Sequence, residues 1–270
     1  GNVIYLHQLA RRLGRNQPFY GLQAVGLDGR IPPHKSVEEM ASHNVEVIER
    51  AKYGPPYMLG GHSLGGWVAF EMALQLEAQG HKVGAVVVLD TPAPEAGMGQ
   101  DTSAWDQARW IVEFSDRVRH LLRGDLRIDV QVLEDLSPDQ QLAYLVTELD
   151  RIHLLSSAEG LEEVERILQV FMAHSQLSYG PASPVAAPIL LLRTESHDPE
   201  WPQTIIDDRH WGWDAHGSVT SEIVPGTHLT MLAEPLVEEL ARRLSAGLAE
   251  ASVSAPRTAS GQLASGGRMT

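Results

Sequence analysis

A strand-like segment, a glycine-rich turn and a helix-forming segment follow one another within residues 57–79. Residues 57–60 are apolar, while residues 64–79 have helical periodicity and are followed by Gly80, a common helix terminator. The turn between them contains Gly61-His62-Ser63-Leu64-Gly65, so the chain must leave a strand and enter a helix within about one residue. This order predicts a strand–turn–helix unit within an α/β fold.

The flanking segments continue this alternation of strands and helices. Residues 82–89 form an almost wholly apolar, β-branched run, which is typical of a parallel strand buried on both faces. Further strands are predicted at residues 18–27, 188–193 and 221–224, and amphipathic helices at residues 5–13, 36–53 and 235–248. The pattern therefore predicts an open, mostly parallel sheet with helices on both sides.

Residues 101–180 interrupt the alternation. Helical patterns alone occupy this stretch, at residues 104–122, 137–155 and 161–177. Because so long a segment exceeds a simple crossover, we predict an inserted helical subdomain that divides a core of residues 1–100 and 181–248. Residues 249–270 are rich in Ser, Gly, Ala and Thr and predict a disordered tail.

Charge and cysteine content exclude several classes of function. The chain of 270 residues has a formal net charge of −14, which argues against binding to nucleic acid or to an anionic membrane. It contains no cysteine, which excludes disulfides, cysteine zinc sites, iron–sulfur clusters and cysteine nucleophiles. No signal peptide opens the sequence, and no apolar run approaches the ~20 residues of a spanning helix. These features predict a cytoplasmic protein.

Ser63 is the candidate nucleophile. A sharp turn would lift its hydroxyl above the sheet, at the N-terminus of the following helix, where the Leu64 backbone N–H could stabilise an oxyanion. We expect glycine at positions 61 and 65 because a Cβ there would collide with the neighbouring strand or helix. The alternative is a glycine-rich turn that carries an incidental serine.

His228 is the candidate base, because it lies late in the chain just after a predicted strand, as the order serine, acid, histidine requires. Asp90 is the favoured acid, since it directly follows the strand of residues 82–89 and its position should be rigid. Three other carboxylates could lie at the same edge of the sheet and remain alternatives: Asp198, Asp207 and Asp208.

The segment that contains these alternative acids could also be interpreted as a metal site. Its candidate ligands are His197, Asp198, Asp207, Asp208, His210 and His216. Their spacing matches no known ligand motif, so we predict a solvated polar loop and no metal. We expect the tryptophans of this loop to serve in packing; they are Trp201, Trp211 and Trp213.

Three motifs together resemble the type I thioesterase domains that close polyketide synthases and nonribosomal peptide synthetases. They are GHSLGGWVAFEMA at residues 61–73, VVVLDTPAP at 86–94 and VPGTHLTML at 224–232. QPFYGLQAVGLDG at residues 17–29 is also similar, and the resemblance covers about residues 1–248. It implies an α/β-hydrolase fold in which the helical insertion is a lid over the substrate channel.

The resemblance also implies a reaction. A thioesterase of this kind would release a polyketide or peptide acyl chain from the phosphopantetheine of an acyl or peptidyl carrier protein, through an acyl-enzyme on Ser63, by hydrolysis or macrocyclisation. The carrier would be tethered upstream in the same chain, and the domain itself would need no cofactor. In the family a His-Pro-x-Gly-Gly loop precedes Gly-Asn, so we expect a first strand and a second oxyanion donor upstream of Gly1.

Other functions remain open at this point. Stand-alone editing (type II) thioesterases place the acid near Asp198 instead of Asp90, and a small-molecule carboxylesterase would use the same kind of nucleophile. A non-catalytic ligand-binding α/β-hydrolase is a further alternative. Such proteins usually lack one member of the triad, whereas Ser63, Asp90 and His228 are all present here.

Overall fold

The computed structural model describes residues 3–94, 102–122, 125–154, 160–196 and 201–254. Within these residues the centre of the fold is a sheet of four parallel strands. They are β1 (Tyr57–His62), β2 (Val83–Leu89), β3 (Ile189–Thr194) and β4 (Val219–Val224), in the spatial order β1-β2-β3-β4. Because all four run in the same direction, their carboxyl ends meet at one edge. The predicted parallel sheet is confirmed.

The described helices are α1 (His7–Leu13), α2 (Val37–Arg50), α3 (Leu64–Ala78), α4 (Gln107–Leu122), α5 (Val130–Glu134), α6 (Pro138–Arg151), α7 (Gly160–Ser175), α8 (Gln203–Asp207) and α9 (Leu236–Ser254). Short 3-10 helices occupy Ile4–Leu6 and Trp213–Ala215. The sequence did not predict α5 and α8, which have 5 residues each. So few residues are too short a window to show helical periodicity.

Strand β2 is buried along its whole length, and its side chains serve two separate cores. Val86 and Val88 pack on the side of α2 and α3, while Val87 and Leu89 pack on the side of α1 and α9. Successive side chains of a strand point to opposite faces, so a strand covered on both faces must be apolar throughout. This is the physical reason for the continuous apolar run in the sequence.

Helices α4, α6 and α7 pack on one another around a third hydrophobic cluster, to which α5 also contributes. Its fully buried side chains include Ile111, Leu133 and Leu145. The inserted helices thus have a core of their own, separate from the two cores of the sheet. Their role as a lid stays a prediction.

The prediction of a strand at residues 18–27 is wrong, because this segment is irregular and ends in a turn. Its aromatic and β-branched residues suit a strand, but a strand also needs a neighbour to accept and donate backbone hydrogen bonds. None of the described strands pairs with it, and β1 forms the outer edge of the sheet. Composition alone could not supply that information.

The boundary predicted between the last helix and a disordered tail is also wrong. Helix α9 is 19 residues long and continues to Ser254, so residues 249–254 are helical. The reason is that Ala249, Glu250 and Ala251 are good helix formers with no glycine or proline among them. Residues 255–270 lie outside the described residues. No helix in the described part of the chain is long and apolar enough to cross a membrane.

Candidate active site

Ser63 occupies a strained turn between β1 and α3. Its backbone angles are φ 56° and ψ −135°, and residues other than glycine rarely adopt a positive φ. Three hydrogen bonds hold the turn: the Ser63 N–H donates to the carbonyl of Leu89 at 3.3 Å, and the Ser63 carbonyl accepts from the Gly66 N–H at 2.8 Å and from the Thr91 hydroxyl at 3.0 Å. The predicted sharp turn that presents Ser63, called the elbow below, is therefore formed, and hydrogen bonds connect it to the end of β2.

The two glycines that flank Ser63 differ in what they require. A Cβ at Gly61 would lie 2.0 Å from the backbone carbon and oxygen of Gly65, a contact that no structure tolerates. A Cβ at Gly65 would meet nothing within 4 Å. The expected collision is thus present at Gly61, but the expectation was wrong for Gly65, because that residue already belongs to α3 and faces open space.

Helix α3 begins at Leu64, immediately after the nucleophile. The first N–H groups of a helix lack intrahelical acceptors and favour negative charge. This geometry suits the oxyanion role predicted for the Leu64 N–H, which stays a prediction. The second donor, expected upstream of Gly1, lies outside the described residues.

His228 and Asp90 meet at the carboxyl edge of the sheet. His228 follows β4, and its Nδ1 lies 3.0 Å from Oδ2 of Asp90 and 3.1 Å from the backbone carbonyl oxygen of the same residue. The imidazole is 29% exposed and the carboxylate 1%, so the pair has one buried member and one that solvent or a substrate can reach. The carboxylate is placed to keep a proton on Nδ1 and so leave Nε2 free to accept one.

Asp90 is held from two directions. Its Oδ1 accepts the backbone N–H of Thr194, at the end of β3, at 2.5 Å, and its own N–H donates to Leu192 at 2.8 Å. Like Ser63, it has a positive φ, here 51°. Burial by itself would raise the pKa of Asp90, but the hydrogen bond and charge of His228 and the Thr194 N–H together bring that pKa below its usual value. The carboxylate is therefore ionised near neutral pH.

His62, to which the motif assigns no role of its own, contacts the candidate base directly. Its Nε2 lies 2.7 Å from the backbone carbonyl oxygen of His228, and the two rings are 4.4 Å apart between centroids. Since His62 precedes Ser63, this contact places the His228 imidazole beside the strand that carries the nucleophile. Within the described part of the chain no hydrogen bond joins Ser63 Oγ to His228.

The other candidate acids make different contacts. Asp208 accepts the N–H groups of His210 at 2.9 Å and Gly212 at 2.6 Å, so both of its oxygens stabilise a turn. Asp207 accepts from the side chain of Gln203 at 2.8 Å. Asp198, together with His197, lies outside the described residues. Of the described candidates, only Asp90 contacts His228.

The histidines and tryptophans of this loop form packing and polar contacts. His210 pairs with Asp214 at 2.8 Å, and His216 is buried beside Trp213. Trp211 and Trp213 have no exposed surface, and Trp213 donates its indole N–H to the Thr91 carbonyl at 2.7 Å. In the part of the chain that the structure describes, no group of three or more potential ligands could hold a metal ion.

The chain matches the family model of the thioesterase domain over residues 1–248. Among curated proteins it is 28% identical to chondramide synthase cmdD of Chondromyces crocatus over 249 residues and 26% identical to indigoidine synthase of Dickeya dadantii (strain 3937) over 250 residues. Each match covers 89% of this chain but only 6% and 16% of the respective relatives. The chain thus spans a small part of the length of the curated relatives it matches.

The chain also resembles proteins of known structure in its fold. A four-domain nonribosomal peptide synthetase superposes with a TM-score of 0.80 at 25% identity, covering 92% of this chain and 18% of that one. The wild-type Vlm2 thioesterase domain superposes with a TM-score of 0.62 at 28% identity, covering 91% and 89%. The fold is that of the α/β-hydrolases, as the motifs predicted. With a family match that extends over nearly the whole chain, this protein belongs to the thioesterase domain family.

Proposed function

We propose that this domain releases an acyl chain from a carrier protein through a Ser63–His228–Asp90 triad. The observation that carries the proposal is the 3.0 Å contact between His228 Nδ1 and the buried Asp90 carboxylate, at the same sheet edge as the strained Ser63. A general base oriented by an acid beside a serine at a helix N-terminus is the arrangement needed for acyl transfer.

The first half-reaction acylates the enzyme. Nε2 of His228 takes the proton of the Ser63 hydroxyl while Oγ bonds to the thioester carbonyl carbon, and the Leu64 N–H faces the resulting oxyanion. When the intermediate collapses, the C–S bond breaks and the proton on His228 passes to the departing thiolate. The products are an acyl-Ser63 ester and the free thiol of the pantetheine arm.

The second half-reaction releases the chain. His228 takes a proton from water, or from a hydroxyl or amine of the acyl chain itself, and the oxygen or nitrogen attacks the ester carbonyl. The bond to Oγ then breaks, and Ser63 recovers its proton from His228. Water yields an acid, whereas an internal nucleophile yields a macrocycle.

The substrate assignment rests on family and context. The matched relatives carry names of synthases, and the chain corresponds to only 6% and 16% of their lengths, which supports a domain that acts beside others. We therefore propose an acyl or peptidyl carrier protein in the same chain as the partner, with its phosphopantetheine thioester as the substrate. The helices α4–α7, which have their own core, would form a lid over the acyl chain.

The test begins with the nucleophile. Incubation with an acyl-pantetheine thioester should add the mass of the acyl group to Ser63, and a fluorophosphonate probe should label the same residue. Ser63→Ala should abolish both adducts. Product release by Ser63→Ala at the wild-type rate would refute the acyl-enzyme mechanism.

A comparison of substrates separates the proposed function from a stand-alone esterase. The same acyl group is offered on a carrier protein, on free pantetheine and as a simple oxyester. We expect the highest kcat/KM for the carrier-bound thioester. A preference for the oxyester, with Ser63 still labelled, would leave the triad intact but contradict the assignment to chain release.

A further inference from the structure

We infer that His62 is a positioning residue for His228: its ring N–H fixes the backbone of the base to the strand that carries the nucleophile. This inference rests on the proposed function, because it takes His228 as the base that activates Ser63. It adds a fourth side chain to the site, one that touches neither substrate nor reacting atom and acts through the histidine it contacts.

The contact between the two histidines is close and protected from solvent. His62 is the last residue of β1 and is 6% exposed. Its Nε2 lies 2.7 Å from the carbonyl oxygen of His228, and the two rings are tilted by 30°. The ring of Tyr5 makes a T-shaped contact with that of His62 at 5.8 Å between centroids. Between neutral groups, a separation of 2.7 Å is at the short end of the range for an N–H···O hydrogen bond.

The chemistry of the acceptor fixes the position of the proton. A backbone carbonyl can only accept, so Nε2 of His62 must carry the hydrogen and donate it. Burial and the proximity of His228 lower the pKa of His62 to about 3, which keeps its ring neutral at physiological pH. A neutral neighbour matters here, because His228 becomes an imidazolium during each half-reaction and a second positive ring at 4.4 Å would oppose that charge.

The hydrogen bond from His62 to the His228 carbonyl matters because the other backbone hydrogen bonds of residues 226–231 do not reach β1. The N–H groups of Thr230 and Met231 donate to Thr227 within the loop itself, at 3.0 Å each. The Gly226 carbonyl accepts from Ser196 at 3.3 Å, which ties the loop to the end of β3. His62 supplies the tie to β1. Its loss would leave Asp90 to hold the imidazole and would remove the direct bond between the His228 backbone and the strand that carries Ser63.

A matched pair of variants separates donation from packing. His62→Gln and His62→Met introduce side chains of nearly equal length, but only glutamine has an N–H group to offer the His228 carbonyl. The control is His216→Met, since His216 is also 6% exposed and lies outside the triad. A second pair, His62→Asn and His62→Leu, repeats the comparison with shorter side chains.

The readouts are the rate of Ser63 labelling by a fluorophosphonate probe, kcat and KM for acyl-pantetheine, and the unfolding midpoint in urea. A base displaced from its nucleophile by about 1 Å costs up to about 100-fold in rate. We therefore expect His62→Met to lower the labelling rate and kcat about 10- to 100-fold with little change in KM. His62→Gln should restore most of the rate, and His216→Met should lower only the unfolding midpoint.

Several outcomes would overturn the inference. If His62→Met labels as fast as the wild type, or if His62→Gln loses as much rate as His62→Met, then donation to His228 is not what matters. Failure of both donor-bearing variants to fold would likewise assign His62 to the core alone. The labelling rate stays informative even if the wild type turns over no acyl-pantetheine, so failure of the proposed substrate class is distinguishable from failure of this inference.

Discussion

Replacing Asp90 with asparagine would change one of the two oxygens through which this residue contacts its neighbours. At present Oδ1 accepts the Thr194 N–H at 2.5 Å and Oδ2 faces Nδ1 of His228 at 3.0 Å. Asparagine has nearly the same shape, but one acceptor becomes an NH₂ donor. Its single oxygen can serve only one of the two positions.

The Thr194 N–H decides which position receives the oxygen. It is a buried backbone donor at the end of β3 and cannot turn away, so the amide oxygen should face it. The NH₂ group then faces Nδ1 of His228, which must be unprotonated to accept. The imidazole proton moves to Nε2, the atom that should take the proton of Ser63. In serine protease triads this wrong tautomer lowers kcat about 10⁴-fold, equivalent to about 5.4 kcal/mol in the activation free energy.

The assay is again fluorophosphonate labelling of Ser63, together with turnover of acyl-pantetheine. Asp208→Asn is the matched control, since both oxygens of Asp208 are also engaged, here by the backbone N–H groups of His210 and Gly212, and Asp208 does not contact His228. We expect Asp90→Asn to lose about 10⁴-fold and Asp208→Asn to keep the wild-type rate. A loss in Asp90→Asn below about tenfold, or about 1.4 kcal/mol, with a large loss in Asp198→Asn would refute the assignment of the acid.

Three further predictions concern the fold around the site. Gly61→Ala should disrupt the elbow and abolish labelling, because its Cβ would lie 2.0 Å from Gly65, whereas Gly65→Ala should fold normally; equal urea midpoints for the two variants would contradict this. Burial lowers the pKa of His62 to about 3, so below pH ~6.5 the unfolded chain binds a proton that the folded chain does not. As the pH is lowered from ~6 to ~4, the free energy of unfolding of the wild type should therefore fall by about 1.4 kcal/mol per pH unit more than that of His62→Gln. Parallel slopes for the two proteins in urea titrations would count against this prediction. Tyr179→Phe removes the hydroxyl that donates to the buried Glu71 carboxylate at 2.6 Å. It should lower the free energy of unfolding, measured in urea, by about 1–3 kcal/mol. An unchanged urea midpoint would be inconsistent with that hydrogen bond.

The sheet and the elbow could be predicted because their signals are local in the sequence. The apolar run of β2 and the Gly61–Gly65 motif each combine residue type with spacing. Residues 18–27 show the limit, since a strand is defined by a neighbour that composition does not reveal. His62 shows another limit: its partner is a backbone carbonyl 166 residues away, and no local pattern marks such a contact. The only available signal was its position beside Ser63 in the motif.

The position of the acid follows from the order of the strands. Register pairs His62 with Leu89 and Leu89 with Leu192, so the residues that follow β1 and β2 are neighbours and the end of β3 comes next to them. A carboxylate could reach His228 from the end of either β2 or β3, but two carboxylates at adjacent ends would raise the pKa of one another. In this chain β2 supplies Asp90, and β3 supplies the Thr194 N–H that binds it. The end of β3 therefore supplies a donor to Asp90, and this donor together with His228 keeps the buried carboxylate ionised.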